Sequence, residues 1–118
     1  EGFVAEGSGE NVFVVRDGVV RTPPLTSVLA GITRDAVIKI LHDLGVEVRE
    51  EYFARDAFYI ADEAFMTGTA AEVTPVVELD DRKIGAGKPG PVTQKVQSIF
   101  HAALHGREPR YRDWLYYV

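Results

Sequence analysis

Leu29-Ala30-Gly31-Ile32-Thr33-Arg34-Asp35 runs a glycine turn straight into an amphipathic helix, with a hydroxyl residue at the junction. Val37, Ile40, Leu41 and Leu44 follow at i, i+3, i+4 and i+7, and Gly45 stands just past the last of them. The first turn of a helix has free backbone N–H groups and carries the positive end of the dipole, so it can hold an anion. Thr33 either caps the helix through its hydroxyl or offers that hydroxyl to a bound phosphate. Most such helix starts are only caps, and this stretch alone does not choose.

Working outward, the segments on both sides read as β structure. Upstream, Val12-Phe13-Val14-Val15 reads as a buried strand, Asp17-Gly18 as a two-residue hairpin turn, and Val19-Val20-Arg21 as the return. Thr22-Pro23-Pro24 ends that hairpin, because proline cannot donate to a ladder. Downstream, Val46-Glu47-Val48-Arg49-Glu50 alternates as a half-exposed strand. Arg55 to Ala61 is a short helix whose Phe58 and Tyr59 belong to the core. A strand over Ala64 to Thr67, a tight turn, and Val73-Thr74-Pro75-Val76-Val77 come next. Asp80-Asp81-Arg82-Lys83 reads as a solvated hairpin tip. Pro91 opens a final helix, with Val92, Val96, Ile99, Phe100 and Ala103 on one face up to Gly106. Helices are therefore expected over about 33–44 and 91–105, in an α+β domain whose β segments wrap into a partial barrel. The aromatic tail from Tyr111 to Val118 is expected to pack onto a surface.

Composition narrows the functions. The 118 residues make one domain, and 46% hydrophobic with 26% charged residues is ordinary globular usage. A net charge of −5 without a basic cluster argues against nucleic acid. The absence of cysteine rules out disulfides and thiolate metal sites. No apolar run nears the ~20 residues of a membrane span, so a soluble, cytoplasmic protein is the expectation. The opening Glu1-Gly2-Phe3-Val4-Ala5 reads as an internal strand of something larger.

Two more stretches suit charged ligands. In Glu6-Gly7-Ser8-Gly9-Glu10-Asn11, two glycines let the backbone approach a ligand and a carboxylate can meet a cationic nitrogen. A pair of solvated turn carboxylates is the competing reading. In Thr67-Gly68-Thr69-Ala70-Ala71-Glu72, small residues leave successive N–H groups unshielded, which suits a carboxylate or phosphate. A merely close-packed turn explains the same residues. Gly85-Ala86-Gly87-Lys88-Pro89-Gly90 is no phosphate loop, because it lacks the Gly-Lys-Ser/Thr ending and Pro89 follows the lysine. His101 and His105 lie one turn apart, but with no Glu between them and no other His nearby no metal is expected.

These three stretches, in this order and with Gly90-Pro91-Val92-Thr93 as a fourth, resemble the branched-chain amino acid aminotransferases. Those are pyridoxal 5'-phosphate enzymes of class IV, with the D-amino acid aminotransferase-like fold. The resemblance covers nearly the whole chain, least clearly Arg107 to Val118. It implies that residues 1–118 are the C-terminal cofactor-binding domain. Glu6 would pair with the cofactor's pyridine nitrogen, and Leu29 would contact its ring. The Ile32 and Thr33 amides and the Thr33 hydroxyl would hold its phosphate. The Thr69 hydroxyl would join them, the amides of Thr69 and Ala70 would hold the substrate carboxylate, and Glu10 would support the site indirectly.

The resemblance also implies what this chain lacks. The family's Schiff-base lysine and a phosphate-binding arginine lie upstream of the first motif, as does a smaller N-terminal domain. Lys39, Lys83, Lys88 and Lys95 match none of these positions, so no catalytic residue is expected here and the chain alone is expected to be inactive. The implied reaction passes the amino group of Leu, Ile or Val to 2-oxoglutarate, within a homodimer or dimer-based assembly. Two other readings stay open. One is a different class IV activity, D-amino acid transamination or aminodeoxychorismate lysis. The other is a non-catalytic anion-binding module.

Overall fold

The structure, a computed structural model, describes residues 10–24, 31–68 and 72–111. Strands β1 (Glu10–Arg16) and β2 (Val19–Thr22) form the expected hairpin. Asp17 and Gly18 both take positive φ, 51° and 78°, as the tight turn between twisted strands requires. Helix α1 (Gly31–Asp43) and strand β3 (Glu47–Glu50) follow. Gly45, at φ 77°, ends α1, and the Val46 N–H closes back onto the Leu41 carbonyl at 2.9 Å. Helix α2 (Asp56–Tyr59) is a single turn, and β4 (Glu63–Gly68) and β5 (Val73–Pro75) complete one sheet. A separate two-stranded hairpin, β6 (Glu78–Leu79) and β7 (Arg82–Lys83), precedes α3 (Pro91–Leu104).

The sheet runs β3-β2-β1-β4-β5. Its pairs are antiparallel except β2 with β3, which are parallel and joined by α1 as a crossover. β1 sits at the centre, and Val12, Phe13, Val14 and Val15 are all buried because both faces of the strand are covered. Phe13, Val15, Val20 and Phe65 face α1 and α3, against Val37, Ile40, Leu41, Val96 and Phe100. Phe13 lies directly opposite Phe65, and their rings stack with centroids 4.8 Å apart. Val12, Val14 and Ala64 face the other way, onto Phe53, Phe58, Ala61 and Ile84. An α+β architecture follows from this layering. Phe58 is core as expected, and β3, at the sheet edge, is largely exposed.

Two local expectations need correction. The tip is Asp80-Asp81 alone, both at positive φ, and Asp80 is not merely solvated. Arg55 donates to its carboxylate through Nε at 2.9 Å, Tyr59 donates its hydroxyl to it, and the Arg82 guanidinium lies over the Tyr59 ring. The Arg55 hydrogen bond, seconded by Tyr59, holds the Asp80 carboxyl below its usual pKa. Strand β5 stops at Pro75, so Val76 and Val77 are not part of it. Tyr111 packs into the helix-side core, and the rest of the aromatic tail lies outside the described residues.

Candidate functional site

The register brings the described ends of two of the three stretches together. The Glu6–Asn11 stretch enters the sheet at Glu10, which pairs with Gly68, and Asn11 pairs with Thr67. The Thr67–Glu72 stretch therefore leaves the sheet where the first one comes in. On the far side of β4, Thr67 pairs with Val73. β2 runs antiparallel to β1, so its last residue finishes at the same end, and the Thr22 hydroxyl donates to the Val12 carbonyl at 2.7 Å. β3 finishes there too, with Glu50 beside Thr22.

The first turn of α1 is tied to this end by Arg34. Its Nη2 donates to the Pro23 carbonyl at 3.2 Å and to the Glu50 carboxylate at 2.8 Å. One sheet end thus gathers the start of β1, the ends of β2, β3 and β4, and the N-terminal turn of α1.

Ile32 and Thr33 stand in that first turn, and Thr33 is buried. Glu6, Leu29, Thr69 and Ala70 lie outside the described residues, although the strands leading to three of them converge here. Two buried polar atoms at this end, Oγ1 of Thr67 and Nε of Arg34, have no hydrogen-bond partner among the described residues. Unpaired buried donors and acceptors are costly and are uncommon away from ligand sites. A dipole-positive helix turn at a sheet end that holds unpaired buried polar atoms suits an anionic group such as a phosphate.

The fourth matched stretch is elsewhere. The pair Val15–Glu63 lies at the other end of the β1–β4 ladder, about 17 Å from Glu10–Gly68 by strand rise. There Glu63 points at the start of α3. Its carboxylate accepts the Val92 N–H at 3.1 Å, the Thr93 N–H at 2.7 Å and the Thr93 hydroxyl at 2.7 Å. Gly90 leaves room for it, since a Cβ there would fall 2.4 Å from the carboxyl carbon. This helix start is filled by the protein's own carboxylate, and Gly90-Pro91-Val92-Thr93 serves the scaffold.

Sequence reading missed Glu63, Thr67 and Arg34 as individuals. Strand alternation carried a signal for the first two, because residues 63, 65 and 67 must share a face, which puts two polar side chains on the core side with Phe65. A groove of about 600 Å³ lies beside β5 and α3, lined by Glu72, Val73, Gln97, Phe100, His101 and Arg107. Thr33 does not line it, and its His101 ring nitrogen lies 3.3 Å from Nη2 of Arg107. The convergent end, rather than this groove, is the candidate site.

The family model for class IV amino-transferases matches residues 1–79. The chain belongs to the class IV aminotransferase family. Among similar class IV proteins, the branched-chain-amino-acid aminotransferase of Pseudomonas aeruginosa is 51% identical over 114 residues, 97% of this chain and 37% of that protein. A probable branched-chain-amino-acid aminotransferase of Aquifex aeolicus is 54% identical over 117 residues, 98% of this chain and 38% of the relative. Among solved structures, the branched-chain amino acid aminotransferase from Thermobaculum terrenum in its PLP-bound holo-form superimposes with a TM-score of 0.83. It is 43% identical and matches 96% of this chain and 38% of its own. This class IV chain thus spans well under half the length of these relatives. Among its described residues no helix is long and apolar enough to cross a membrane.

Proposed function

We propose that this chain is the cofactor-holding domain of a pyridoxal 5'-phosphate-dependent branched-chain amino acid aminotransferase. The reaction is transfer of the amino group of Leu, Ile or Val to 2-oxoglutarate. The observation that carries this reading is the convergence of β1, β4 and the α1 N-terminus at one sheet end. The identity of about half the residues with enzymes named for that activity supports it. In the whole protein, a segment upstream would supply the lysine and a smaller N-terminal domain would help form the substrate pocket, and the sheet described here would be one part of a barrel within a dimer-based assembly.

The residues present fit the group, because a helix turn, the buried Thr33 and the unpaired buried hydroxyl of Thr67 belong to the sheet end where an anion would bind. Bound pyridoxal phosphate supplies an electron sink for the substrate α-carbon. The chain's own work is to hold and orient. The Ile32 and Thr33 N–H groups and the Thr33 and Thr69 hydroxyls grip the phosphate. Leu29 packs on the ring. The Glu6 carboxylate keeps the pyridine nitrogen protonated, since a nearby anion favours the cationic form. The Thr69 and Ala70 amides hold the substrate carboxylate.

The test uses the full-length enzyme. Glu6→Gln should cut turnover strongly while leaving cofactor retention nearly intact, because the phosphate is held elsewhere. Thr33→Val and Thr69→Val should each lose pyridoxal phosphate faster on dialysis, followed by its absorbance, at a cost of about 1.5–3 kcal/mol. Unchanged turnover in a loaded Glu6→Gln enzyme would remove that role. An amino-donor screen favouring D-alanine over Leu, Ile and Val would overturn the branched-chain assignment.

A further inference from the structure

Arg34 is the most deeply buried cation described in this chain, with 3% of its side chain exposed. Burying a guanidinium is expensive unless its donors are used. The partners here do not explain that burial by themselves. Glu50 is 55% and Asp35 71% exposed, and ion pairs with exposed carboxylates contribute little. The Asp35 contact is long, at 3.6 Å, and Nε has no partner among the described residues.

What the side chain does accomplish is geometric. A single Nη2 reaches the Pro23 carbonyl, one residue past β2, and the carboxylate of Glu50, the last residue of β3. Thr22 and Glu50 lie side by side in the parallel ladder, so Arg34 clamps the ends of both strands to the first turn of the helix that connects them. The neighbour of Arg34 on the N-terminal side is Thr33.

We propose that Arg34 is the positioning residue of the anion-binding turn. It fixes the first turn of α1 against β2 and β3 before any ligand arrives, and its buried charge adds to the positive end of the helix. The inference rests on the reading that this turn holds the cofactor phosphate. Lysine cannot replace it, because an ammonium is more strongly hydrated than a guanidinium, costs more to bury, and sits on a flexible stem that does not hold one donor between both acceptors. Arg34 touches neither substrate nor cofactor in this role.

The test compares pyridoxamine 5'-phosphate with pyridoxamine, which lacks the phosphate, as ligands of the full-length apoenzyme. Arg34→Lys should weaken pyridoxamine 5'-phosphate by about tenfold or more and pyridoxamine by less than about twofold. Equal losses for both ligands would mean a general structural role and overturn the proposal. A wild-type ratio in Arg34→Lys would overturn it as well. Should that variant fail to fold, Glu50→Ala releases one limb of the clamp from an exposed position and should show the same selectivity with a smaller loss. A wild-type ratio there also overturns the proposal. Thr33→Val is the parallel arm. If it loses the phosphate preference while Arg34→Lys keeps it, the phosphate reading stands and the role of Arg34 falls. If neither variant loses it, the phosphate reading itself falls.

Discussion

The Tyr111 hydroxyl donates to the Asp43 carboxylate, joining the segment after α3 to the last turn of α1 across 68 residues of sequence. Each partner shifts the other. The hydrogen bond from Tyr111 is the main cause holding the Asp43 carboxyl below its ordinary value, with Lys39 assisting. Burial first, and then Asp43, pushes the Tyr111 hydroxyl up to about 12.

The pH dependence follows with opposite signs at the two ends. A lowered carboxyl pKa contributes stability above the unfolded value of 3.8, and that contribution disappears as pH falls through the folded value. A raised phenol pKa contributes stability in full below 10.0, and that is lost as pH climbs towards 12. Tyr111→Phe should therefore be less stable than wild type by a constant margin between roughly pH 5 and 9, narrowing outside that window. Urea midpoints across the pH range measure it, and a margin that does not narrow at either end would discount the pair.

Glu63→Ala should destabilise the protein by about 2–4 kcal/mol, because two amides and a hydroxyl at the start of α3 lose a charged acceptor. Glu63→Gln keeps one carbonyl oxygen and should lose less. The measurement is the urea midpoint with an unchanged m-value. A loss for Glu63→Ala no larger than an ordinary surface substitution would show that water replaces the cap.

Gly85→Ala should be among the most damaging single-methyl additions. Gly85 has φ 58°, and a Cβ would stand 1.9 Å from the Asp62 carbonyl oxygen. Backbone cannot swing aside as a side chain can, so both the strain and the clash remain. Gly45, also at positive φ but with nothing within 4 Å, is the control. Gly45→Ala should cost only about 1 kcal/mol from the left-handed backbone. Thermal melts that rank the two variants the other way would contradict the loop geometry.

Thr67→Val tests the unpaired hydroxyl. Thr67 is 1% exposed and its Oγ1 has no hydrogen-bond partner among the described residues. In the ligand-free protein, valine should be neutral or stabilising by up to about 1 kcal/mol, because it removes an unsatisfied buried group at equal volume. A clear destabilisation without ligand would show that the hydroxyl is already satisfied.

The parts of this architecture legible in the sequence are those set by near neighbours. The periodicity of Val37, Ile40, Leu41 and Leu44 is enough to bury one face of α1, and Asp17-Gly18 can hardly be anything but a tight turn. The site motifs were also legible as chemistry, since glycines and small residues beside hydroxyls and carboxylates advertise exposed amides. Their grouping was not. That Glu10 faces Gly68 depends on the β1–β4 register, a pairing between distant segments that no local pattern encodes. For the same reason no local pattern shows that Gly90-Pro91-Val92-Thr93 lies at the other end of the ladder, against Glu63. Arg34 was invisible as an individual because its hydrogen-bond partners are Pro23, just past β2, and Glu50, at the end of β3, which no local pattern places beside it.

The central place of β1 has a cost during folding. Its hairpin with β2 can close early, across two residues. Its other edge must wait for β4, whose residues lie 48 to 58 positions further along, with a crossover helix, a strand and a helical turn in between. Until then Val12-Phe13-Val14-Val15 offers a bare apolar edge of the kind that pairs with any similar strand it meets. Aggregation during expression or refolding is therefore set by how long that edge stays open, and faster docking of β4 would raise soluble yield without altering the native state.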